Sequence, residues 1–400
     1  MFLSNLRSLL LTPPHRNSTL LAIDPGFSHG CKVAVLSPTG ALLDTAVLRP
    51  NFRSPGVALA SSPAGLRLSQ LCLQHGVDTV AIGNGTACRE TETLVAACIA
   101  GGLAGVQYTI VSEAGASIYS CSPGAGLELP GVETNILSAV SIGRRLQDPL
   151  SELVKIEPQH LGVGMYQHDL PQARLNTALD EVVSECVSFV GVDINSCSEF
   201  LLRRVAGLNR STARAILELR EKQGGFVSRE ELRKVKGVGE KVWNNCVGFI
   251  RVNPSRGGNP LDSTQIHPES YRLAEKMISE AGLNLVNLGK PHFCRKMKAY
   301  AESADLTSLA RQFGCGETTA RMTVESLQQE KFQDDLRSKH AAPLFKVGQT
   351  KVEEVKVGDV LSGRVSNVTQ FGAFVDIGLG INGLVHNSKM RGKPEGVKKY

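Results

Sequence analysis

The chain has 400 residues, a length that predicts two to three domains at about 150 residues each. Apolar residues make up 42% and charged residues 20%, which excludes a wholly disordered chain, and no run of about 18 uncharged apolar residues could form a membrane span. The formal net charge of +6 permits a polyanionic partner without requiring one.

Ten cysteines are spread along the sequence, and none of them forms a C-x-x-C pair. This spacing argues against zinc ribbons and against thioredoxin-type chemistry. Reduced thiols are typical of the nucleus and the cytoplasm, so we expect the protein in one of these compartments.

Residues 1–19 are interpreted as the tail of a helical region. The pattern predicts a helix over residues 2–11, which Pro13 and Pro14 bring to an end. A mitochondrial transit peptide is the weaker alternative, because residues 1–18 contain Arg7 and Arg16 and no acid occurs before Asp24.

Residues 20–150 predict an α/β domain. Three short apolar runs separated by turn residues indicate an antiparallel meander, at residues 20–24, 32–36 and 41–48. Helices and strands then alternate: helices over residues 63–74, 91–100 and 136–150, with strands over residues 79–82 and 108–111. The order β-β-β-α-β-α-β-α is typical of a ribonuclease-H-like sheet, whose later strands run parallel to the first.

The carboxyl ends of those parallel strands should gather candidate catalytic carboxylates at one edge of the sheet. Asp24 ends the first strand, Glu113 follows the last, and Asp148 lies near the end of the last helix. Such carboxylates can hold two Mg²⁺ or Mn²⁺ ions for phosphodiester hydrolysis. However, the turn after the middle parallel strand offers Asn84 instead of an acid, which favours a vestigial or binding role over an active nuclease.

Residues 151–190 are interpreted as a helical connector, and residues 191–252 as a double helix-hairpin-helix domain. The segments 205–209 (VAGLN) and 235–239 (VKGVG) repeat at a spacing of thirty residues, and each is followed by a predicted helix. Such glycine loops can present backbone amides to phosphates without reading bases. Asn209 replaces the final glycine of the first copy, and asparagine tolerates the left-handed region. The candidate nucleic-acid contacts are Gly207, Asn209, Lys236, Gly237, Gly239 and Lys241.

Eleven lysines and arginines against five glutamates between residues 203 and 241 give this region a local charge of +6. This excess suits a phosphate-binding surface. A compact helical packing unit is the alternative interpretation of the repeat.

Residues 253–340 predict a linker followed by a helical domain with no obvious chemistry. The alternating residues 345–400 are typical of an S1-type OB fold, a class that binds single strands on aromatic platforms. Phe371, Phe374 and His386 are the stacking candidates, with Lys389 on the flank; Phe374 could instead belong to the core. About three strands fit before residue 400, whereas an OB barrel needs five, so we expect an incomplete barrel.

Taken together, the motifs resemble those of the Tex-like transcription accessory proteins, in particular the eukaryotic members named for an S1 RNA-binding domain. The resemblance rests on LLAIDPGFSHGCKVAVL at residues 20–36, VSEAGASIYS at residues 111–120, SIGRRLQDPLSELVKIEP at residues 141–158, the paired hairpins, NPLDSTQIHPESY at residues 259–271 and GDVLSGRVSNVTQFGAFVDIG at residues 358–378. It implies a YqgF-type ribonuclease-H-like domain, a double helix-hairpin-helix domain and an S1 domain. The family's long N-terminal helical region is not matched, which suggests a fragment or a splice form.

These observations favour a non-catalytic accessory protein that binds RNA, and also DNA, mainly through phosphates and requires no cofactor. Protein partners in transcription or translation are expected, and a membrane partner is not. Two alternatives remain open: a nuclease that uses Asp24 and Glu113 and depends on Mg²⁺ or Mn²⁺, and a protein-binding scaffold.

Overall fold

The structure is a computed structural model, and it describes residues 2–53, 56–164, 169–253, 257–330, 336–340, 342–347, 355, 357–358, 363–369, 371–377 and 382–390. The helices are α1 (Phe2–Leu10), α2 (Gly56–Ala60), α3 (Pro63–His75), α4 (Cys88–Ala100), α5 (Ala116–Ser120), α6 (Pro123–Glu128), α7 (Thr134–Gln147), α8 (Pro149–Leu153), α9 (Gln172–Val190), α10 (Glu199–Leu202), α11 (Arg210–Gln223), α12 (Glu240–Cys246), α13 (Tyr271–Glu280), α14 (Pro291–Ser303), α15 (Leu306–Gln312) and α16 (Glu317–Leu327). The strands are β1 (Leu20–Asp24), β2 (Cys31–Leu36), β3 (Leu42–Leu48), β4 (Thr79–Gly83), β5 (Gln107–Val111), β6 (Val192–Asp193), β7 (Ile250–Arg251), β8 (Arg364–Thr369), β9 (Gly372–Asp376) and β10 (Asn382–His386).

The chain divides into two compact units, and both are discontinuous in sequence. One unit contains residues 1–11, 157–159 and 163–339, and the other contains residues 12–156, 160–162 and 340–400. All ten cysteines are free thiols. Across the described ranges, no helix is both long enough and apolar enough to span a membrane.

A five-stranded sheet in the order β3-β2-β1-β4-β5 organises the unit that contains residues 12–156. Strand β1 pairs antiparallel with β2 and parallel with β4, and β4 pairs parallel with β5. This topology confirms the predicted ribonuclease-H-like order. The alternation along β1 sends Leu21 and Ile23 to the face covered by α3 and α4, while Leu20 and Ala22 face α7, so the sheet is covered on both sides.

Local sequence signals set both ends of α3, the second helix after the meander. The Ser62 side chain accepts the Gly65 amide, and Pro63 occupies the first helical position of α3. The helix ends at Gly76, whose φ of 63° lies in the left-handed region.

Strand β5 is covered by a segment that lies far away in sequence. The amide of Tyr108 donates to the Lys346 carbonyl at 2.9 Å, and the Lys346 amide donates back to Tyr108 at 2.8 Å. Beneath this bridge, Lys346 Nζ lies 2.5 Å from an oxygen of Glu92, a residue that is only 2% exposed. Arg89 and the Tyr108 hydroxyl also contact the Glu92 carboxylate, so the buried charge is compensated from three sides.

The other unit contains the two hairpins and a helical domain formed by α13–α16 around a shared apolar core. Strands β6 and β7 close the hairpin region through a short parallel ladder. Arg229, at 1% exposure, donates from its side chain to the carbonyls of Ile250 and Ile266, to the Tyr271 hydroxyl and to the Thr264 carbonyl, while its backbone amide donates to Asp262. This buried guanidinium therefore joins the hairpin region to the domain that follows it.

Strands β8, β9 and β10 form an antiparallel sheet in the order β10-β9-β8. Within the described residues these three strands do not close a barrel, in agreement with the expectation of an incomplete OB fold. The predicted S1 segment after Met390 lies outside the described residues.

Candidate nucleic-acid interface and carboxylate edge

Asp24 and Glu113 meet at the carboxyl edge of the sheet, as their strand positions predict. The Ser138 hydroxyl, on α7, donates to Asp24. The backbone amide of Glu113 donates to the Asn84 side-chain oxygen at 3.0 Å, so Asn84 organises the turn that carries Glu113.

Glu113 is held close against a glycine turn. A Cβ at Gly85 would lie 1.7 Å from one Glu113 oxygen, and one at Gly83 would lie 2.9 Å from the other, so a side chain at Gly85 would displace the Glu113 carboxylate from this position. Burial raises the pKa of Glu113 above its ordinary value, and the Asp24 charge raises it further. The Gly85 amide, Arg145 and Lys32 oppose that shift.

Asp148 is not brought to this edge. It lies at the C-terminal end of α7, where its side chain accepts the Ser151 amide and caps α8, and Arg16 lies 3.7 Å away. Ser138 and Asp148 are ten residues apart, which corresponds to about 15 Å along a helix. The residue of α7 that faces Asp24 is therefore a serine, and the structure does not support Asp148 as the third carboxylate.

The donor set at this edge does not fit a two-metal centre. It consists of two carboxylates, one amide and one hydroxyl, and the Asn84 oxygen is already used by the Glu113 amide. No cluster of three or more metal-ligating side chains occurs in the part of the chain that the structure describes. Two-metal hydrolysis relies on several carboxylates that hold both ions, and this edge offers two.

Arg145 is a member of this edge that sequence reasoning did not single out. It is 4% exposed, and its Nη1 donates to the carbonyls of Ser112 at 2.7 Å and Ala114 at 2.9 Å. Burial lowers its pKa to about 10. Arg145 thus fixes the turn on both sides of Glu113. Its position in the SIGRR motif is the sequence feature that could have identified it.

The two hairpins adopt matching turns. Gly207 and Gly237 have φ values of 85° and 87°, and the same turn hydrogen bond closes each loop, from Leu208 to Val205 at 3.0 Å and from Val238 to Val235 at 3.1 Å. Glycine adopts such positive φ values without strain, so both loops require glycine at these positions.

Each hairpin loop packs on the helix of the other hairpin. A Cβ added to Gly207 would lie 2.9 Å from Asn245 Cβ, on α12. One added to Gly237 would lie 3.2 Å from Thr212 Cγ2, on α11. The loops and helices thus form one reciprocal unit.

The predicted left-handed conformation of Asn209 is wrong. Its φ is −134°, and its side chain accepts the amides of Ser211 and Thr212 as an N-cap. The Thr212 hydroxyl completes a capping box by accepting the Asn209 amide. The equivalent Gly239 is also extended, with a φ of −84°, so neither position needs a positive φ.

Charge is distributed unequally between the hairpins. Arg210 and Arg214 of the first hairpin both form ion pairs with Glu199. Lys236 and Lys241 of the second hairpin are exposed, and no ion pair to either is found among the described residues.

The stacking candidates of the S1 segment lie together. Phe371 is 50% exposed, and its ring meets that of the half-buried Phe374 edge to face at 6.1 Å between centroids. His386 is paired with Gly372 in the sheet, next to Phe371, and both His386 and Lys389 are exposed. Phe371 and His386 therefore lie at one end of the β9–β10 ladder, and Phe374 lies at its middle.

Comparisons with known families agree with this architecture. The family described as Tex protein YqgF-like domain matches residues 18–147, and the helix-hairpin-helix motif matches residues 187–251. A further HHH domain matches residues 259–337, and the S1 RNA binding domain matches residues 354–399. The chain thus combines a YqgF-like domain with helix-hairpin-helix and S1 domains, which are nucleic-acid-binding domain types.

Several curated proteins are similar over nearly the whole chain. The human S1 RNA-binding domain-containing protein 1 is 44% identical over 96% of this chain and 43% of its own length. Transcriptional accessory protein Tex of Neisseria gonorrhoeae is 42% identical over 98% of this chain and 50% of its own length, and protein YhgF of Escherichia coli is 41% identical over 98% and 49%. A solved Thermus thermophilus RuvC chain in complex with a Holliday junction substrate aligns at 15% identity over 32% of this chain and 90% of its own, with a TM-score of 0.24, which is too low to support an argument. This chain spans about half the length of the curated relatives it matches and, over that span, is similar to the Tex-like transcription accessory proteins.

Proposed function

We propose that the chain is a non-catalytic nucleic-acid-binding accessory protein that holds RNA, and also DNA, mainly by contacts to the phosphate backbone. The observation that carries this proposal is the reciprocal packing of the hairpins. Gly237 is held against Thr212, so its loop is fixed in place. Lys236 and Lys241, which flank Gly237 in sequence, are both exposed to solvent.

The second hairpin supplies most of the expected phosphate contact. At the positions of Lys236 and Lys241 the first hairpin has Ala206 and Ser211, which carry no charge. The Asn209 side chain also occupies two amides of the first hairpin, whereas Gly239 has no side chain with which to cap the second.

Contacts of this kind predict weak sequence preference and strong salt dependence. Phosphate oxygens are the same at every base, so their contacts position the strand without reading it. Each phosphate neutralised by a lysine releases condensed counterions, which makes affinity fall as salt rises.

The test is the binding of labelled duplex DNA and single-stranded RNA by fluorescence anisotropy across a salt series. Replacing Lys236 and Lys241 together by alanine should reduce the slope of log affinity against log salt by about 1.8 on duplex DNA, at about 0.9 for each lost contact. The matched control replaces Lys276 and Arg321, which pair with Glu280 and Glu317, and should leave the slope unchanged.

Gly237→Asp tests the loop itself, because it strains a backbone at a φ of 87° and places a carboxylate where phosphate is expected. The affinity of this variant for the labelled oligonucleotides should fall by well over twofold. A twofold loss or less for this variant, with an unchanged salt slope for the lysine pair, would exclude the hairpins as the binding surface.

The same oligonucleotides incubated with Mn²⁺ test the nuclease alternative. We expect retention without cleavage, unchanged by Asp24→Asn. Cleavage that disappears in the Asp24 variant would show that the protein is an enzyme. Protein partners in transcription or translation, and the choice between nucleus and cytoplasm, stay predictions.

A further inference from the structure

An exposed aromatic ring lies at the carboxyl edge of the ribonuclease-H-like sheet. Phe27, in the loop between β1 and β2, is 54% exposed, although phenylalanine is usually buried. Its ring meets that of the partly buried Phe52 edge to face, at 5.6 Å between centroids and an interplanar angle of 89°. Phe52 therefore supports Phe27 from one side and leaves much of the ring open to solvent.

The loop that carries Phe27 is held firmly on the neighbouring segment. Cys31 pairs with Leu48 in the sheet, so the β1–β2 loop and residues 49–53 emerge side by side. A Cβ on Gly30 would lie 2.6 Å from the Leu48 carbonyl oxygen and 3.0 Å from Arg49 Cγ, so the two backbones are in direct contact. The ring is thus presented on a preorganised surface.

The charges beside the ring are positive. Residues 25–32 and 49–53 contain Lys32, Arg49 and Arg53 and no acid. Arg49 and Arg53 are exposed, and neither guanidinium forms an ion pair with any residue that the structure describes. Asp24 and Glu113 lie at the same edge of the sheet, and Lys32 lies opposite Asp24 in the β1–β2 register and lowers the pKa of Glu113.

We propose that Phe27, with Arg49 and Arg53, forms a stacking site for a base of single-stranded nucleic acid. An exposed ring accepts any base because every base has a π face, and flanking arginines can hold the adjacent phosphates. A duplex cannot use the ring in this way, because its bases are already stacked on one another. The site adds a contact on the ribonuclease-H-like domain to those on the hairpins, and so rests on the proposed nucleic-acid-binding function.

The experiment compares the full chain with Phe27→Ala, Phe27→Trp and Phe189→Ala in anisotropy titrations with a labelled 12-nucleotide single strand and with its duplex. Phe189, on α9, is 46% exposed and serves as the matched control. Stacking is worth about 1–3 kcal/mol per base, so Phe27→Ala should weaken single-strand binding by roughly 5-fold to 150-fold and leave duplex binding unchanged. Phe27→Trp should retain affinity, and its indole emission should be quenched by the single strand; Phe189→Ala should behave as wild type.

A Phe27→Ala variant that melts as wild type and binds the single strand within twofold of wild type would overturn the stacking site. The hairpin variant Gly237→Asp, titrated in parallel, separates the two proposals. If only Gly237→Asp weakens single-strand binding, the stacking site is rejected and the hairpins are retained as the binding surface. If only Phe27→Ala weakens it, the stacking site is retained and the hairpins are rejected.

Discussion

The buried guanidinium of Arg229 gives the sharpest prediction about stability. Arg229→Met preserves the length of the side chain but removes every side-chain donor. The carbonyls of Ile250, Thr264 and Ile266, which now accept from this side chain at 2.8, 2.5 and 2.7 Å, would then lose that donor in the interior.

The size of the effect follows from those carbonyls. The Ile250 carbonyl keeps a second donor, because Arg251 Nη1 also donates to it at 3.2 Å. Leaving a buried acceptor without a partner costs about 1–1.5 kcal/mol at the lower end of its range, so the carbonyls of Thr264 and Ile266 together cost about 2–3 kcal/mol. Removal of one member of a buried charged network typically costs about 3–5 kcal/mol. We therefore expect the free energy of unfolding to fall by about 2–5 kcal/mol.

Trp243 provides the assay, because it is the single tryptophan of the chain and is only 4% exposed. Its indole N–H donates to the Arg229 carbonyl at 3.4 Å, so its fluorescence during urea denaturation reports on this network. The control is Arg233→Met, since Arg233 stacks over the Trp243 ring at 3.7 Å but lies at the surface; it should alter the emission and leave the midpoint almost unchanged. A loss below about 1 kcal/mol for Arg229→Met would refute the reasoning about orphaned carbonyls.

Two further substitutions probe the sheet domain. Glu113→Gln should raise the melting temperature of this domain at pH 7, because the pKa of Glu113 is raised in the folded state and its ionisation therefore costs stability. The gain should disappear as the pH falls below the ordinary carboxyl range, where Glu113 is protonated in both the folded and the unfolded state. Equal melting temperatures at pH 7 would contradict this prediction. Lys346→Met should destabilise the domain by about 2–4 kcal/mol, because it removes one partner of the buried Glu92, and should speed hydrogen exchange at the Tyr108 amide. Adding Glu92→Gln should recover part of that loss, whereas a purely additive double variant would show that the pair is not coupled.

The sheet order could be predicted from the sequence because its signals are local. Turn residues separate the strands of the meander, and parallel strands joined by helices allow only right-handed crossovers. The same rule placed Asp24 and Glu113 at one edge.

Other features could not be predicted because they depend on distant or ambiguous signals. The bridge from Lys346 to Tyr108 joins segments far apart in sequence, and no pattern in either segment identifies its partner. Asn209 is compatible both with a left-handed turn and with an N-cap, and Thr212 three residues later was the signal that would have decided for the cap. Asp148 was predicted as a third carboxylate only because it lies near the end of the last helix. In the structure α7 directs Ser138 toward Asp24 instead.

The late segment that covers β5 has a consequence for synthesis of the protein. Thr109 donates to the Leu344 carbonyl across 235 residues of chain. At translation rates of about 5–20 residues per second, roughly 10 to 50 seconds pass before the ribosome has made the covering residues. During this interval β5 presents an open strand edge, which is a template for pairing with another nascent chain. Chaperone demand should therefore be highest while residues 112–343 are being translated, and it should end when the edge is closed.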